Sequence, residues 1–511
     1  MIRRADNVKL AVTRPEADLL RFAEKRLGRG VKYFKIIKKS LDARDKKNLF
    51  WVYSIAFSDE VEREEEPVLE RVKNPPKIAV IGAGPAGLFC AVRLIERGFK
   101  PVIIERGERV EERRKTCLDF FENKRLNCES NVQFGEGGAG AFSDGKLNTR
   151  TKDGLNREVL KIFKKFGAPD DILYLNKPHV GSDKLYEVMI SLRKFVEENG
   201  GEYLFNTKLV GLYVGGNCLK SLKLLNAKTG LESELIVDAA VLAVGHSARD
   251  TYKVLLNCGV YEEPRDFAVG VRIEHLADEI SFAQYGDNFK LLPTADYQLV
   301  SHASDRTVFT FCMCPGGVVI PAASEEGGVV VNGMSMRARD GVNSNSALMV
   351  QFTRADFGSD DIFAGVRFQR ELERRAFDFG GGNYCAPCQR FGDFRVDRQS
   401  SAFGGVKPTY AAGTAFAPLG ELLPVSAVNA LKAAIPDMGK RLKGFDCADA
   451  LLTGVETRFS SPVKILRGED MQSVTVKNLY PVGEGSGYSG GITSSAADGM
   501  RAAEVIYKRF A

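Results

Sequence analysis

Residues 77–107 read KIAVIGAGPAGLFCAVRLIERGFKPVIIERG, and this stretch decides the fold. Ile78 to Ile81 is a short, wholly apolar run stopped by glycine, the pattern of a strand buried on both faces. A helix is expected from about Pro85 to Arg97, and Val102 to Ile104 forms a second buried strand ending in an acid. The unit is a complete beta-alpha-beta crossover. Gly82 permits the tight turn, Gly84 lets a pyrophosphate approach the backbone, and Gly87 lets the helix lie close on the sheet. Pro85 and Ala86 open the helix, so its N-terminus can hold the phosphates. Glu105 stands at the tip of the second strand with Arg106 beside it, where a carboxylate can accept both hydroxyls of an adenosine ribose. The ligand this pattern suits is a dinucleotide, either NAD or FAD.

Working outward, the 511-residue chain is too long for one hydrophobic core, so two or three domains are expected. Hydrophobic content of 44% and charged content of 27% are ordinary for a globular protein. The start, MIRRADNVKL, has no apolar run that would serve as a secretory signal, and no stretch approaches the length of a membrane span. Ten sparse cysteines suit reduced thiols, and a cytoplasmic location is expected. The four histidines are not spaced as ligand pairs with cysteine, so no metal site is expected.

Residues 1–58 read as a small basic α/β module: a strand at Val8 to Val12, a helix at Pro15 to Leu27, and strands at Phe34 to Ile37 and Phe50 to Phe57. Within residues 1–50, fifteen Lys and Arg face six acids, while the whole chain is only +6. Such a module would suit nucleic acid, another anionic partner, or the acidic tract Glu60 to Glu66 that follows it. No aromatic-interleaved basic motif for RNA is present, which favours a solvated basic surface. Residues 59–76 form an acidic, proline-containing linker.

Residues 77–259 then form the first part of the dinucleotide domain. A charged helix is expected from about Glu108 to Asn123, followed by the glycine cluster NVQFGEGGAGAFSDGKL at 131–147. Phe134, Phe142 and Leu147 interleave with its glycines, so an ordered, ligand-facing loop is expected, with Gly135, Gly138 and Gly140 at the ligand. Helices at 155–166 and 183–198 alternate with strands at 202–205, 208–214, 218–225 and 233–244. The last of these runs through Ala243 into Gly245, the kind of carboxyl edge at which parallel sheets receive ligands. Residues 260–460 change character to a β-rich, mixed α+β domain with a helix from about Phe363 to Phe377, and are expected to be an insertion. Residues 461–511 would return to the first sheet as a short strand, a turn at Gly483 and Glu484, and a helix starting near Gly491 and Ile492. The expected fold is thus a Rossmann-like FAD-binding domain carrying an inserted domain and a small N-terminal module.

Two motifs offer catalytic candidates. Cys312-Met313-Cys314 and Cys385-Ala386-Pro387-Cys388 would each suit a dithiol redox centre, or be ordinary buried thiols. Arg458 with Ser460 and Ser461, in TRFSSPVKILR, would bind an anionic substrate or backbone carbonyls.

Three separated pieces, GAGPAG with Glu105, the strand with Ala243, Val244 and Gly245, and GEGSGYSGG near the end, resemble the FAD-binding domain of glutathione-reductase-like flavoproteins. More closely, FGEGGAGAFSDGKL, CMCPGG, NGMS, TRFSSPVKILR and GEGSGYSGGITSSAADG resemble the bacterial group labelled FAD-dependent, or NAD(FAD)-utilising, dehydrogenases. The resemblance spans nearly the whole chain. It implies FAD as cofactor, hydride transfer to or from an unidentified small molecule, and NAD(P)H as a transient electron donor, since no second dinucleotide unit is present. It implies that Gly82, Gly84 and Gly87 meet the pyrophosphate, Glu105 the adenosine ribose, Glu484 the ribityl region, and Gly491 and Ile492 the flavin pyrimidine. Two departures stand out: Glu484 where the family has Asp, and Cys388 in APCQ where the family reads APAQ. The basic module leaves open a further reading, an RNA-associated flavoprotein with that module as its arm.

Overall fold

A computed structural model describes residues 2–28, 30–61, 69–70, 72–149, 151, 153–357 and 361–511. At its centre is a five-stranded parallel sheet in the order Leu479–Pro481, Ala239–Leu242, Ile78–Ile81, Val102–Ile104, Glu202–Leu204. The two strands of the opening stretch are fully buried, as continuous apolar runs in a doubly covered sheet must be. The helices Pro85–Glu96 and Ile492–Phe510 pack together on one face, and the antiparallel strands Thr207–Gly215, Cys218–Asn226 and Glu232–Ile236 cover the other. Glycine is required where backbone crosses backbone around this sheet, as three positions show. A Cβ on Gly82 (φ +105°) would lie 2.3 Å from the Ala243 carbonyl oxygen, one on Gly87 would lie 1.9 Å from that of Gly82, and one on Gly499 would lie 1.9 Å from that of Ala86.

The single strand expected over 233–244 is two. Glu232–Ile236 belongs to the antiparallel sheet and Ala239–Leu242 to the parallel one. The break falls at Asp238, whose carboxylate accepts the Lys77 amide at 2.7 Å and so ties the parallel strand to its neighbour.

Between Ala239–Leu242 and Leu479–Pro481 the chain builds a seven-stranded mixed sheet, ordered Val300–Ser301, Val308–Cys314, Asn343–Phe352, Phe267–Leu276, Leu451–Glu456, Ala386–Arg390, Thr414–Phe416. The helices Ala364–Phe379 and Val425–Arg441 help bury it. The second of these was not anticipated from the sequence: it contains Pro436, which reads as a breaker, yet Ala427, Leu431, Ala434 and Met438 bury one face.

The N-terminal module is a three-stranded antiparallel sheet, Arg3–Ala11, Phe50–Ser58, Tyr33–Asp42, against the helix Asp18–Leu27. Several of its cations are met by its own acids, Arg14 and Arg21 by Asp18, and Lys39 by Glu16. It joins the body where the Lys39 amide donates to the Tyr174 carbonyl at 2.7 Å and Lys46 Nζ to that of Ala283 at 2.6 Å. Most of the acidic tract Glu60 to Glu66 lies outside the described residues. Among the described residues, no helix is long and apolar enough to cross a membrane.

Candidate functional site

One deep cleft of about 370 Å³ runs along the carboxyl ends of the central parallel strands and on to the second sheet. Two helices open onto it. Pro85–Glu96 starts from Gly84, Ile492–Phe510 starts from Gly491, and neither start is closed by a capping side chain. Their free N–H groups and dipoles favour negative charge in the cleft. The wall between them is bare of side chains: a Cβ on Gly84 would meet nothing nearer than 3.8 Å, and one on Gly245 or Gly490 nothing within 4 Å. Gly87 is not on this wall; its place is the crossing with Gly82, so its expected contact with a pyrophosphate is corrected to a packing role.

The glycine loop is ordered from beneath by Arg113, a residue the sequence did not single out. Its buried guanidinium donates to the carbonyls of Asn131, Val132, Gly135, Glu136 and Gly138 at 2.7–3.2 Å. A Cβ on Gly135 (φ +117°) would strike that side chain at 2.3 Å. Gly138 and Gly140 then line the cleft, the latter against Ile492.

Glu105 lines the cleft at the strand tip, and its carboxylate also knits the surrounding turns. It accepts the amides of Ala83 at 2.8 Å and of Gly107 and Gly135 at 2.9 Å each. Arg106 is held by Asp250 and Glu129, with bonds of 2.7–2.9 Å, and lies 4.1 Å over the Phe134 ring. Its charge is therefore neutralised by the protein. Further along, Glu484 stands 3.3 Å from Nδ1 of His246. Its turn is fixed by Asp498, which accepts the Gly483 amide at 2.8 Å and is itself held by Arg467. Tyr252 donates to the Gly485 carbonyl at 2.8 Å, anchoring the same turn on the other side.

At the far end, the strand Val308–Cys314 closes the cleft. Cys312 and Cys314 are both free thiols on its wall, and burial pushes Cys312 up to about 12. Cys385 and Cys388 lie off the cleft, and Cys388 is packed with Val406 and Leu451. Lys146 reaches across the cleft, donating to the Asp144 carboxylate at 2.8 Å and to the Met313 carbonyl. Below them, Arg272 binds Glu456 at 2.9 Å and the Cys312 carbonyl at 2.6 Å. Arg458 meets neither backbone carbonyls nor open solvent: Nε and Nη2 bind the Glu373 carboxylate at 2.9 and 3.1 Å. Ser460 is buried off the cleft wall, and Ser461 bonds Tyr252 at 3.0 Å. The pairs Arg272–Glu456 and Arg458–Glu373 join residues more than eighty positions apart, so no local spacing announced them.

A bare glycine wall between two uncapped helix starts, with a buried acid at the tip of the adjacent strand, fits a dinucleotide. Residues 266–459 match the family model described as FAD-dependent protein, C-terminal domain-like, and residues 80–112 match the NAD(P)-binding Rossmann-like domain. A Clostridium beijerinckii protein, described as uncharacterized, is 45% identical over 497 residues, 93% of this chain and 92% of that one. Among solved structures, a flavin-dependent brominase is 12% identical with a TM-score of 0.40, covering 86% of this chain and 80% of that one. A geranylgeranyl bacteriochlorophyll reductase-like protein of Thermoplasma acidophilum is 11% identical with a TM-score of 0.38, covering 85% and 78%. The chain therefore belongs to the family of the clostridial protein, and that family is FAD-dependent.

Proposed function

We propose that the chain is an FAD-dependent oxidoreductase of glutathione-reductase-like layout, acting on a small molecule seated where the second sheet closes the cleft. The observation that carries this reading is the pairing of two uncapped helix starts, Gly84–Pro85 and Gly491–Ile492, across one side-chain-free wall. Bound FAD would supply hydride-transfer chemistry. The amides of Gly84 and Ala86, on either side of Pro85 at the helix start, would hold the diphosphate, and Glu105 the adenosine ribose. Glu484, oriented by His246, would bond the ribityl chain. The helix start at Ile492 would favour negative charge at the pyrimidine edge. Residues 77–259 with 461–511 form the FAD half in this reading, and 260–460 the substrate half. One dinucleotide unit is read, so NAD(P)H would visit the open end of the cleft only transiently.

The dithiol alternative finds little support: Cys312 and Cys314 are held as thiols by burial, and the second pair lies away from the cleft. Anaerobic titration of the FAD-loaded protein against NADH, NADPH, dithiothreitol and a panel of small alcohols and amines tests the reading. Bleaching of the flavin by a nicotinamide or organic donor supports it. Bleaching by dithiothreitol alone, lost in Cys312→Ser, would replace it with the thiol mechanism.

A further inference from the structure

The walls of the far end carry more buried cations than anions. Asp144 is shared by Lys146 at 2.8 Å and by Arg339 at 2.9 Å, so this trio retains one positive charge. Burial pushes the Asp144 carboxyl up, but the charges of Lys146 and Arg339 outweigh it and hold the group ionised. His179, 3.9 Å from Asp144, adds no charge at neutral pH, because burial and the same cations hold it down to about 3. Behind the opposite wall, Arg249, Arg370 and Arg458 share Glu325 and Glu373, again leaving one positive charge. The neighbouring pairs Arg272–Glu456 and Lys177–Asp296 are balanced.

Uncompensated charge in a poorly hydrated wall is costly unless a ligand neutralises it. Two atoms point to such a ligand. Nη1 of Arg458 is buried without a partner, and the side chain is only 3% exposed on a residue that lines the cleft. Lys146 is the accessible member: it lines the cleft, its side chain is 27% exposed, and two of its three N–H bonds are taken, by Asp144 and Met313.

We propose that the molecule handled at this end is an anion, a carboxylate or a phosphate ester, whose charged group is held by Lys146 under the field of the Arg458 cluster. The proposal deepens the oxidoreductase reading and rests on it for the place of the chemistry. Its probes are benzoate, inorganic phosphate and neutral benzamide, titrated into the FAD-loaded full chain while the visible flavin band is followed, with calorimetry in parallel. At least one anion should perturb the flavin saturably and bind about tenfold or more tighter than benzamide. Lys146→Met should weaken that anion about tenfold and leave benzamide unchanged, while Lys146→Arg should retain binding. The choice between benzoate and phosphate tells which class of anion the site takes. Equal binding of the anions and benzamide, no anion binding by either readout, or full benzoate and phosphate binding by Lys146→Met would overturn the proposal. A chain that holds no flavin would instead remove the oxidoreductase reading, while the calorimetric comparison of wild type with Lys146→Met would still decide the anion site.

Discussion

Arg249 and Glu373 clasp the two halves of the molecule, both terminal nitrogens of the arginine meeting the two carboxylate oxygens at 2.9 Å. Arg249 starts a helix of the first half and Glu373 lies within a helix of the second, and Arg458 and Thr457 converge on the same carboxylate. Removing the shared anion strands the buried Arg458 guanidinium and leaves Arg249 with Glu325 and Gln369 alone. Glu373→Gln should therefore cost about 3–5 kcal/mol of unfolding free energy at neutral pH. Burial alone would raise this carboxyl, but the charges of Arg249 and Arg458 prevail and hold it at about 2. The folded value lies below that of the unfolded chain, so the stabilisation is complete above about pH 5 and fades as pH falls toward 2. Urea unfolding at pH 7 and pH 3 should show the gap between wild type and Glu373→Gln narrowing at the lower pH.

Gly499 crosses Ala86 so closely that a Cβ would lie 1.9 Å from the Ala86 carbonyl oxygen, and backbone cannot step aside as a flexible side chain can. Gly499→Ala should thus push apart the two helices whose starts face the cleft. A loss of about 1–3 kcal/mol in stability and a weaker grip on FAD are expected together. Thermal melts with and without added FAD check both.

Burial pushes the Cys312 thiol up to about 12 and raises that of Cys314. Both should resist iodoacetamide at pH 8 in the folded protein and react on unfolding. Flavin reduction by any active donor should proceed at an unchanged rate in Cys312→Ser and Cys314→Ser. Rapid labelling of either thiol, with loss of reduction in its variant, would speak for the dithiol mechanism.

The opening stretch was legible because its signals are local. The strand Ile78–Ile81, the helix from Pro85 and the strand Val102–Ile104 lie within a residue of their expected bounds at most ends, and the terminal strand Leu479–Pro481 pairs with Ala239–Leu242 in the same sheet. Gly82, Gly84 and Gly87 are each constrained by a turn, an open wall or a packed helix that a motif can encode. The remaining features of the site have no such periodicity. Arg113 organises five carbonyls of a loop about twenty residues downstream, and Lys146 reaches Met313 on the seven-stranded sheet. Arg458 was noticed for its polar neighbours, but its partner Glu373 sits inside an amphipathic helix that reads as ordinary surface charge. The split of 233–244 was hidden because Leu235, Ile236 and Val237 run on into Ala239–Leu242 with only Asp238 between, so one apolar run spans the end of one strand and the whole of the next.

The proposed seat of the FAD diphosphate is the wall at Gly84. Gly84 is extended (φ −79°) and a Cβ there would rest in ordinary contact, 3.8 Å from Gly138 Cα, so a methyl costs the fold little and intrudes on the ligand. The most direct measurement is FAD titration of Gly84→Ala beside wild type, read by flavin fluorescence and by melting of the apoproteins. Apoprotein melting temperatures should agree closely, and FAD affinity should fall about tenfold or more in the variant. Equal FAD affinity in the two proteins would contradict this placement.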